Sequence, residues 1–126
     1  MRFAKIVYRI AGIWGLLIIT PLYFLFDTAG RQNPPAINHP EFYYSFVGVT
    51  FVWQIAFFLI ASDPMRFRPL MIVAILEKIS YMLTISVLCL QHLVAPDQLI
   101  WVGTDSILCA LFVAAYLKTP ATAQVS

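Results

Sequence analysis

Residues 42–62 read FYYSFVGVTFVWQIAFFLIAS, a run of 21 residues that contains no charged side chain. The hydrocarbon core of a bilayer is about 30 Å thick, and an α-helix crosses it with about 20 mostly apolar residues. In water, so long an apolar surface would need a polar shell from the rest of the chain. The run therefore predicts a helix that spans a membrane.

Three further apolar runs of similar length flank this one. The third of the four runs is interrupted only by Glu77 and Lys78, and the fourth only by Asp105. The predicted spans are residues 6–26, 42–62, 69–93 and 98–117. Because the connections between them are short, consecutive helices should be antiparallel neighbours. The sequence predicts an all-α membrane protein whose single domain, residues 1–126, forms an antiparallel four-helix transmembrane bundle.

The composition of the chain excludes most soluble classes of protein. Hydrophobic residues make up 61% of it and charged residues 11%, whereas soluble domains average about 45–50% and about 25%. The mean hydropathy is +0.83. The eight Lys and Arg residues are scattered and form no basic stripe, so the net charge of +2 does not indicate a nucleic-acid partner. The lipid bilayer is the expected partner.

The distribution of basic residues predicts the orientation of the bundle. Cytoplasmic flanks of membrane helices carry an excess of Lys and Arg. The side of the chain termini carries Arg2, Lys5, Arg9, Arg66, Arg68 and Lys118. The opposite side carries Arg31 alone. Both termini are therefore expected to face the cytoplasm, in the inner (plasma) membrane of a cell.

The first span and the segment after it carry features that affect the helix ends. Arg2 and Lys5 precede an apolar run, as in a signal peptide, but bulky residues near the end of the run favour a retained helix. Pro21 removes one backbone hydrogen bond and predicts a kink. Residues 27–41 are expected to form a loop because they contain glycine and prolines. These are Gly30, Pro34, Pro35 and Pro40.

Ionisable side chains within or at the edge of the spans are the first candidates for function. They are Arg9, Glu77, Lys78 and Asp105. Charges in hydrocarbon are costly, so such residues usually face the interior of a bundle. The helical rise places Gln54 at about the depth of Glu77, and the long side chain of Arg9 can reach that level. A polar layer is therefore expected there, and Tyr81, on the Glu77 side of the third span, extends it.

The two charges of the third span are expected to have different neighbours. Glu77 and Lys78 are adjacent, about 100° apart around a helix. Lys78 and Asp105 have an axial offset of about 6–7 Å when both are counted from the ends of their spans. A lysine side chain can close most of that distance, so the sequence predicts a pair between Lys78 and Asp105.

A purely structural interpretation of these residues stays open. Helices in a membrane lack a hydrophobic drive for association, and buried polar contacts fix their order and register. The amide of Gln54 is of a kind that commonly bridges helices in this way. The same side chains therefore fit either structural contacts or a functional site.

The sequence predicts no metal centre, cofactor or catalytic nucleophile. His39 and His92 lie on the predicted outer side near acidic residues, but no metal-ligand spacing such as H-E-x-x-H occurs. Motifs for a nucleophilic serine or a phosphate-binding loop are also absent from the sequence.

One local string carries a resemblance. Residues 61–71 read ASDPMRFRPLM, and they lead into Leu76, Glu77 and Lys78, with Asp105 in the last span. This layout, which covers the second to fourth spans, resembles a group of small four-span bacterial membrane proteins, loosely DoxX-like. The resemblance implies residence in a bacterial inner membrane and supplies no catalytic residue.

Three functional hypotheses follow from the sequence. The favoured one is a non-enzymatic protein that acts through lipids or partners, which include another membrane protein or a second copy of the chain. The second is an enzyme or redox accessory that acts on a lipid-soluble, quinone-like or sterol-like substrate, with Glu77 or Asp105 as acid or base. The third is a small transporter subunit whose ion path uses the same charges.

Overall fold

Four long apolar helices dominate the computed structural model, which describes residues 2–32 and 38–120. The α-helices are α1 (Arg2–Ile19), α2 (Phe26–Gln32), α3 (Pro40–Ser62), α4 (Arg68–Leu90) and α5 (Leu99–Lys118). The 3₁₀ turns Thr20–Phe24 and Pro96–Gln98 extend α1 and precede α5. Within the described ranges there is no strand, and the predicted all-α class is confirmed.

Each of the four long segments is suited to crossing a bilayer. They comprise Arg2–Phe24, Pro40–Ser62, Arg68–Leu90 and Pro96–Lys118, each 23 residues long, with hydropathies of 1.6 to 1.8. At about 1.5 Å per residue such a helix is roughly 34 Å long, enough for a hydrocarbon core of about 30 Å. The chain is an integral, multi-pass membrane protein with four candidate spans.

The helix ends differ from the predicted spans by more than two residues at two places. α1 begins at Arg2 rather than near residue 6, because the helix continues into its basic flank. α4 ends at Leu90 rather than Leu93. His92 adopts a left-handed conformation with φ of 60°, and the amide of Leu93 donates to the carbonyl of Leu88 at 2.9 Å. This geometry ends α-helices.

The prediction of a loop after the first span is partly wrong. Residues 27–32 belong to α2, a helix with Asp27 in its first turn and Arg31 in its last. A negative charge at the start of a helix and a positive charge at its end interact favourably with the helix dipole, so both stabilise this short helix. Arg31 Nη2 also donates a hydrogen bond to Thr28 Oγ1 at 3.1 Å. Pro34 and Pro35 lie outside the described residues.

The first span changes helix type next to Pro21, where the sequence predicts a kink. The α-helical hydrogen bonding of α1 ends at Ile19, and a 3₁₀ turn that contains the proline continues the segment to Phe24. Proline lacks the amide hydrogen that the next helical turn would need. The change of helix type therefore lies at the position where the backbone loses its donor.

The helices are arranged in the order α3, α1, α5, α4 around the bundle. α1 packs along α3 and also touches α5, α4 packs along α5, and α3 and α4 touch only weakly. Glycines allow α1 to approach α3 closely. A Cβ at Gly12 would lie 2.8 Å from the Phe58 ring, and one at Gly15 would overlap the Gln54 side chain. Small residues at helix contacts are typical of membrane bundles.

The packed core occupies one half of the bundle. We call the end that carries the first residues of α1, the turn between α3 and α4, and the last residues of α5 the termini end, and the opposite end the loop end. The buried cluster lies in the half next to the termini end. At its centre Tyr8 stacks on Phe112 with ring centroids 4.4 Å apart, and Phe57 meets Phe112 edge-on at 5.1 Å.

Polar contacts hold the termini end together. Asp63 Oδ1 accepts a hydrogen bond from the amide of Arg66 in the turn that joins α3 to α4. Arg68 Nε donates to the carbonyl of Thr119 at 2.7 Å, and its guanidinium carbon lies 3.8 Å from the centre of the Tyr116 ring. The start of α4 is thereby fixed to the end of α5.

Candidate functional site in the loop half

The half of the bundle next to the loop end contains a cavity of about 550 Å³. Each of the four long helices contributes to its wall, and α2 contributes Thr28, Ala29 and Gln32 at the loop end. The cavity extends from these residues and Gln98 inward to Lys78, where the packed core begins. The short helix that was missing from the sequence prediction therefore forms part of the wall.

A cluster of three charges lies at the inner end of the cavity. Lys78 Nζ is 3.7 Å from Asp105 Oδ1 and 3.7 Å from Glu77 Oε1. The Lys78 side chain is 8% exposed, that of Asp105 17% and that of Glu77 21%. Lys78 Nζ also lies 5.3 Å from the centre of the Phe57 ring. The charges are thus on the aromatic core, facing the cavity.

The predicted pair between Lys78 and Asp105 is confirmed. The expectation that Glu77 and Lys78 have different neighbours is wrong, because the two residues form an ion pair with each other. The two side chains leave the helix in directions about 100° apart, but both are long, and their charged ends converge. The cluster therefore has two carboxylates and one ammonium, with one formal negative charge in excess.

Gln54 is buried beside the same cavity. The residue is 2% exposed, and its Nε2 donates to the carbonyl of Thr50 at 2.8 Å. Its Oε1 is buried and has no hydrogen-bond partner among the described residues. This oxygen lies against Gly15 of α1, and a buried acceptor without a donor costs about 1–3 kcal/mol.

Aromatic and aliphatic side chains form most of the remaining wall. Tyr81, one turn after Lys78, lies parallel to Phe46 with ring centroids 6.4 Å apart, and both line the cavity. Trp14 and Trp101 line it from α1 and α5. The cavity is amphipathic, with apolar walls and a charged inner end.

The structure brings together most of the predicted site residues. Gln54, Glu77, Lys78, Tyr81 and Asp105 all line the cavity. Arg9 is exposed on α1 and lies outside this lining, because it belongs to the half of α1 next to the termini end.

Several lining residues were not predicted as part of a site. Trp14 and Trp101 appeared only as parts of the predicted spans 6–26 and 98–117. Thr50 and Thr104 belong to the wall as well. The sequence offered only their positions as a signal: Thr50 is one turn before Gln54, and Thr104 precedes Asp105.

The two histidines lie outside this site. His39 Nδ1 is 3.5 Å from Glu41 Oε2, with both side chains exposed, and His92 ends α4. In the part of the chain that the structure describes, no group of three or more His, Cys, Asp or Glu residues is arranged to hold a metal ion.

Comparison with known proteins adds no assignment. The chain matches no protein-family profile, no curated protein and no solved structure.

Proposed function

We propose that this membrane protein binds a lipid-soluble molecule with a polar head in the cavity of the loop half. The observation that carries the proposal is the amphipathic cavity itself, whose apolar walls lead to a buried charge cluster. Its volume of about 550 Å³ is within the range of about 300–1,000 Å³ that is typical of small-molecule sites. Such a site suits a non-enzymatic protein that acts through lipids.

A purely structural role explains less of the site. Charges that only fix helix order need no empty volume beside them, and they satisfy their neighbours. Here the charges face open space, and the nearby Gln54 acceptor is left without a donor. An enzyme acting on a lipid-soluble substrate is the second candidate, because Glu77 and Asp105 both line the cavity as available acids or bases.

An ion path is less well supported by the same geometry. Three fully buried rings fill the bundle between the charge cluster and the termini end, those of Tyr8, Phe57 and Phe112. A path through the chain would have to displace them.

The binding proposal predicts a retained ligand. Native mass spectrometry of the chain, extracted in mild detergent, should detect a bound lipid-soluble molecule. Thr104→Trp should remove it, because Thr104 lines the cavity and the indole would fill that space. Gly103→Trp is the matched control, since a Cβ at Gly103 meets no described atom within 4 Å. A parent chain without adduct, or equal occupancy in the two variants, would contradict the proposal.

We also propose that the termini end faces the cytoplasm of a bacterial cell, as the basic residues and the DoxX-like resemblance favour. Alkaline phosphatase is active only outside the cytoplasm, so a fusion after Ser126 should be inactive. A fusion after Pro96, in the connection between α4 and α5, should be active. The reverse pattern of activity would reverse the orientation.

A further inference from the structure

The charges at the inner end of the cavity do not balance. Lys78 Nζ lies at the same distance, 3.7 Å, from one oxygen of Glu77 and one of Asp105. The described wall of the cavity contains no second Lys, Arg or His side chain. One formal negative charge is therefore left over where water is scarce, and an unpaired buried charge is costly. A proton on one carboxyl or a bound cation would balance it.

The carboxylates add a second requirement. The Lys78 ammonium lies 3.7 Å from one oxygen of each, which is longer than a hydrogen bond. Ionised carboxylate oxygens can only accept hydrogen bonds. A ligand that satisfies them must carry an N–H or O–H group.

The walls accommodate the rest of such a molecule. The rings of Trp14, Tyr81 and Trp101 line the cavity, and aromatic faces attract cations as well as alkyl groups. From the charge cluster the apolar wall continues past Leu22 to Leu25 near the loop end. An alkyl or ring system can lie along this wall while its polar head is at the inner end.

We propose that the ligand is a protonated lipophilic amine whose N–H-bearing head binds between Glu77 and Asp105. This inference rests on the proposed binding function and names its ligand class. A protonated amine supplies both missing features, a positive charge and a hydrogen-bond donor. A lipophilic alcohol supplies the donor alone, and a quaternary ammonium supplies the charge alone.

The tryptophans of the chain provide a direct test. Of the three, Trp14 and Trp101 line the cavity, whereas Trp53 lines a separate apolar groove between α3 and α4. Trp53→Phe therefore leaves a cavity reporter, and Trp14→Phe with Trp101→Phe leaves a bilayer reporter. Each of these two reporter variants of the full chain is placed in phosphatidylcholine nanodiscs. Quenching of tryptophan fluorescence is then measured with bromoalkyl probes of equal chain length, whose head is an amine, a trimethylammonium, an alcohol or a carboxylate.

The amine should quench the cavity reporter at about tenfold lower concentration than the alcohol, equivalent to about 1.4 kcal/mol. The trimethylammonium should be weaker than the amine, and the carboxylate weakest. The bilayer reporter corrects for partitioning of each probe into lipid. Equal quenching by amine and alcohol would overturn the amine assignment but leave the binding function intact. Quenching that never exceeds that of the bilayer reporter would overturn both.

Variants test the role of the carboxylates. Asp105→Asn leaves one carboxylate and one ammonium, so the preference for amine over alcohol should fall to near one. Glu77→Gln makes the same change and serves if Asp105→Asn fails to fold. Gln54→Leu keeps all three charges and is the matched control, so the amine preference should be retained. An unchanged amine preference in both carboxylate variants would show that the cluster does not recognise the charge of the ligand.

Discussion

Lys78→Met is expected to destabilise the protein in detergent by about 3–5 kcal/mol, the usual cost of removing one partner from a buried ion pair. It leaves the carboxylates of Glu77 and Asp105 facing each other without the ammonium 3.7 Å from each. Asp105→Asn should cost less, because Glu77 and Lys78 remain as a balanced pair. Thermal unfolding of the purified variants measures both effects.

A control and a rescue make this result specific. Lys118→Met removes an exposed lysine whose Nζ lies over the Phe3 ring, and it should cost less than about 1 kcal/mol. Adding Glu77→Gln and Asp105→Asn to Lys78→Met removes every charge of the cluster and should recover part of the lost stability. A triple variant less stable than Lys78→Met would show that the three charges are not coupled.

Phe112→Ala is the second substitution with a large expected effect. Phe112 is 0% exposed and contacts the rings of Tyr8 and Phe57. Its loss leaves a void at the centre of the packed half, and Phe→Ala in a core costs about 3–5 kcal/mol. Helix association in a membrane depends on such packing, so the unfolding temperature in detergent should fall clearly.

Phe24→Ala is the matched control for this void. Phe24 is 84% exposed and lies at the end of the first span, so its truncation should change stability by less than about 0.5 kcal/mol. Equal losses from the two substitutions would mean that the aromatic contacts of the packed half contribute nothing to stability.

The elements of this fold were largely predictable, because a bilayer imposes a length on apolar helices. Residues 42–62 alone identify a span, and the structure places α3 at Pro40–Ser62. Helix α2 was missed because its seven residues are too few for a periodic apolar pattern and include a glycine. The end of α4 was misplaced because nothing in the sequence marks His92 as left-handed.

The site was predictable only where a charge interrupts an apolar run. Glu77, Lys78 and Asp105 are conspicuous for that reason, and helical rise was enough to pair Lys78 with Asp105. Trp14 and Trp101 could not be assigned to the cavity, since that depends on which helices are neighbours. The order α3, α1, α5, α4 is a result of tertiary packing.

The weak contact between α3 and α4 has a consequence for how the bundle can change shape. These two helices touch less than the other neighbouring pairs, and a shallow apolar groove that includes Gly48 and Trp53 indents their seam. Separating α3 from α4 breaks fewer interactions than separating any other pair of neighbouring helices. In the loop half, the ring pair of Phe46 and Tyr81 spans the seam. A sideways opening of the bundle would begin along this seam, and it would admit acyl chains from the surrounding lipid before it admitted water.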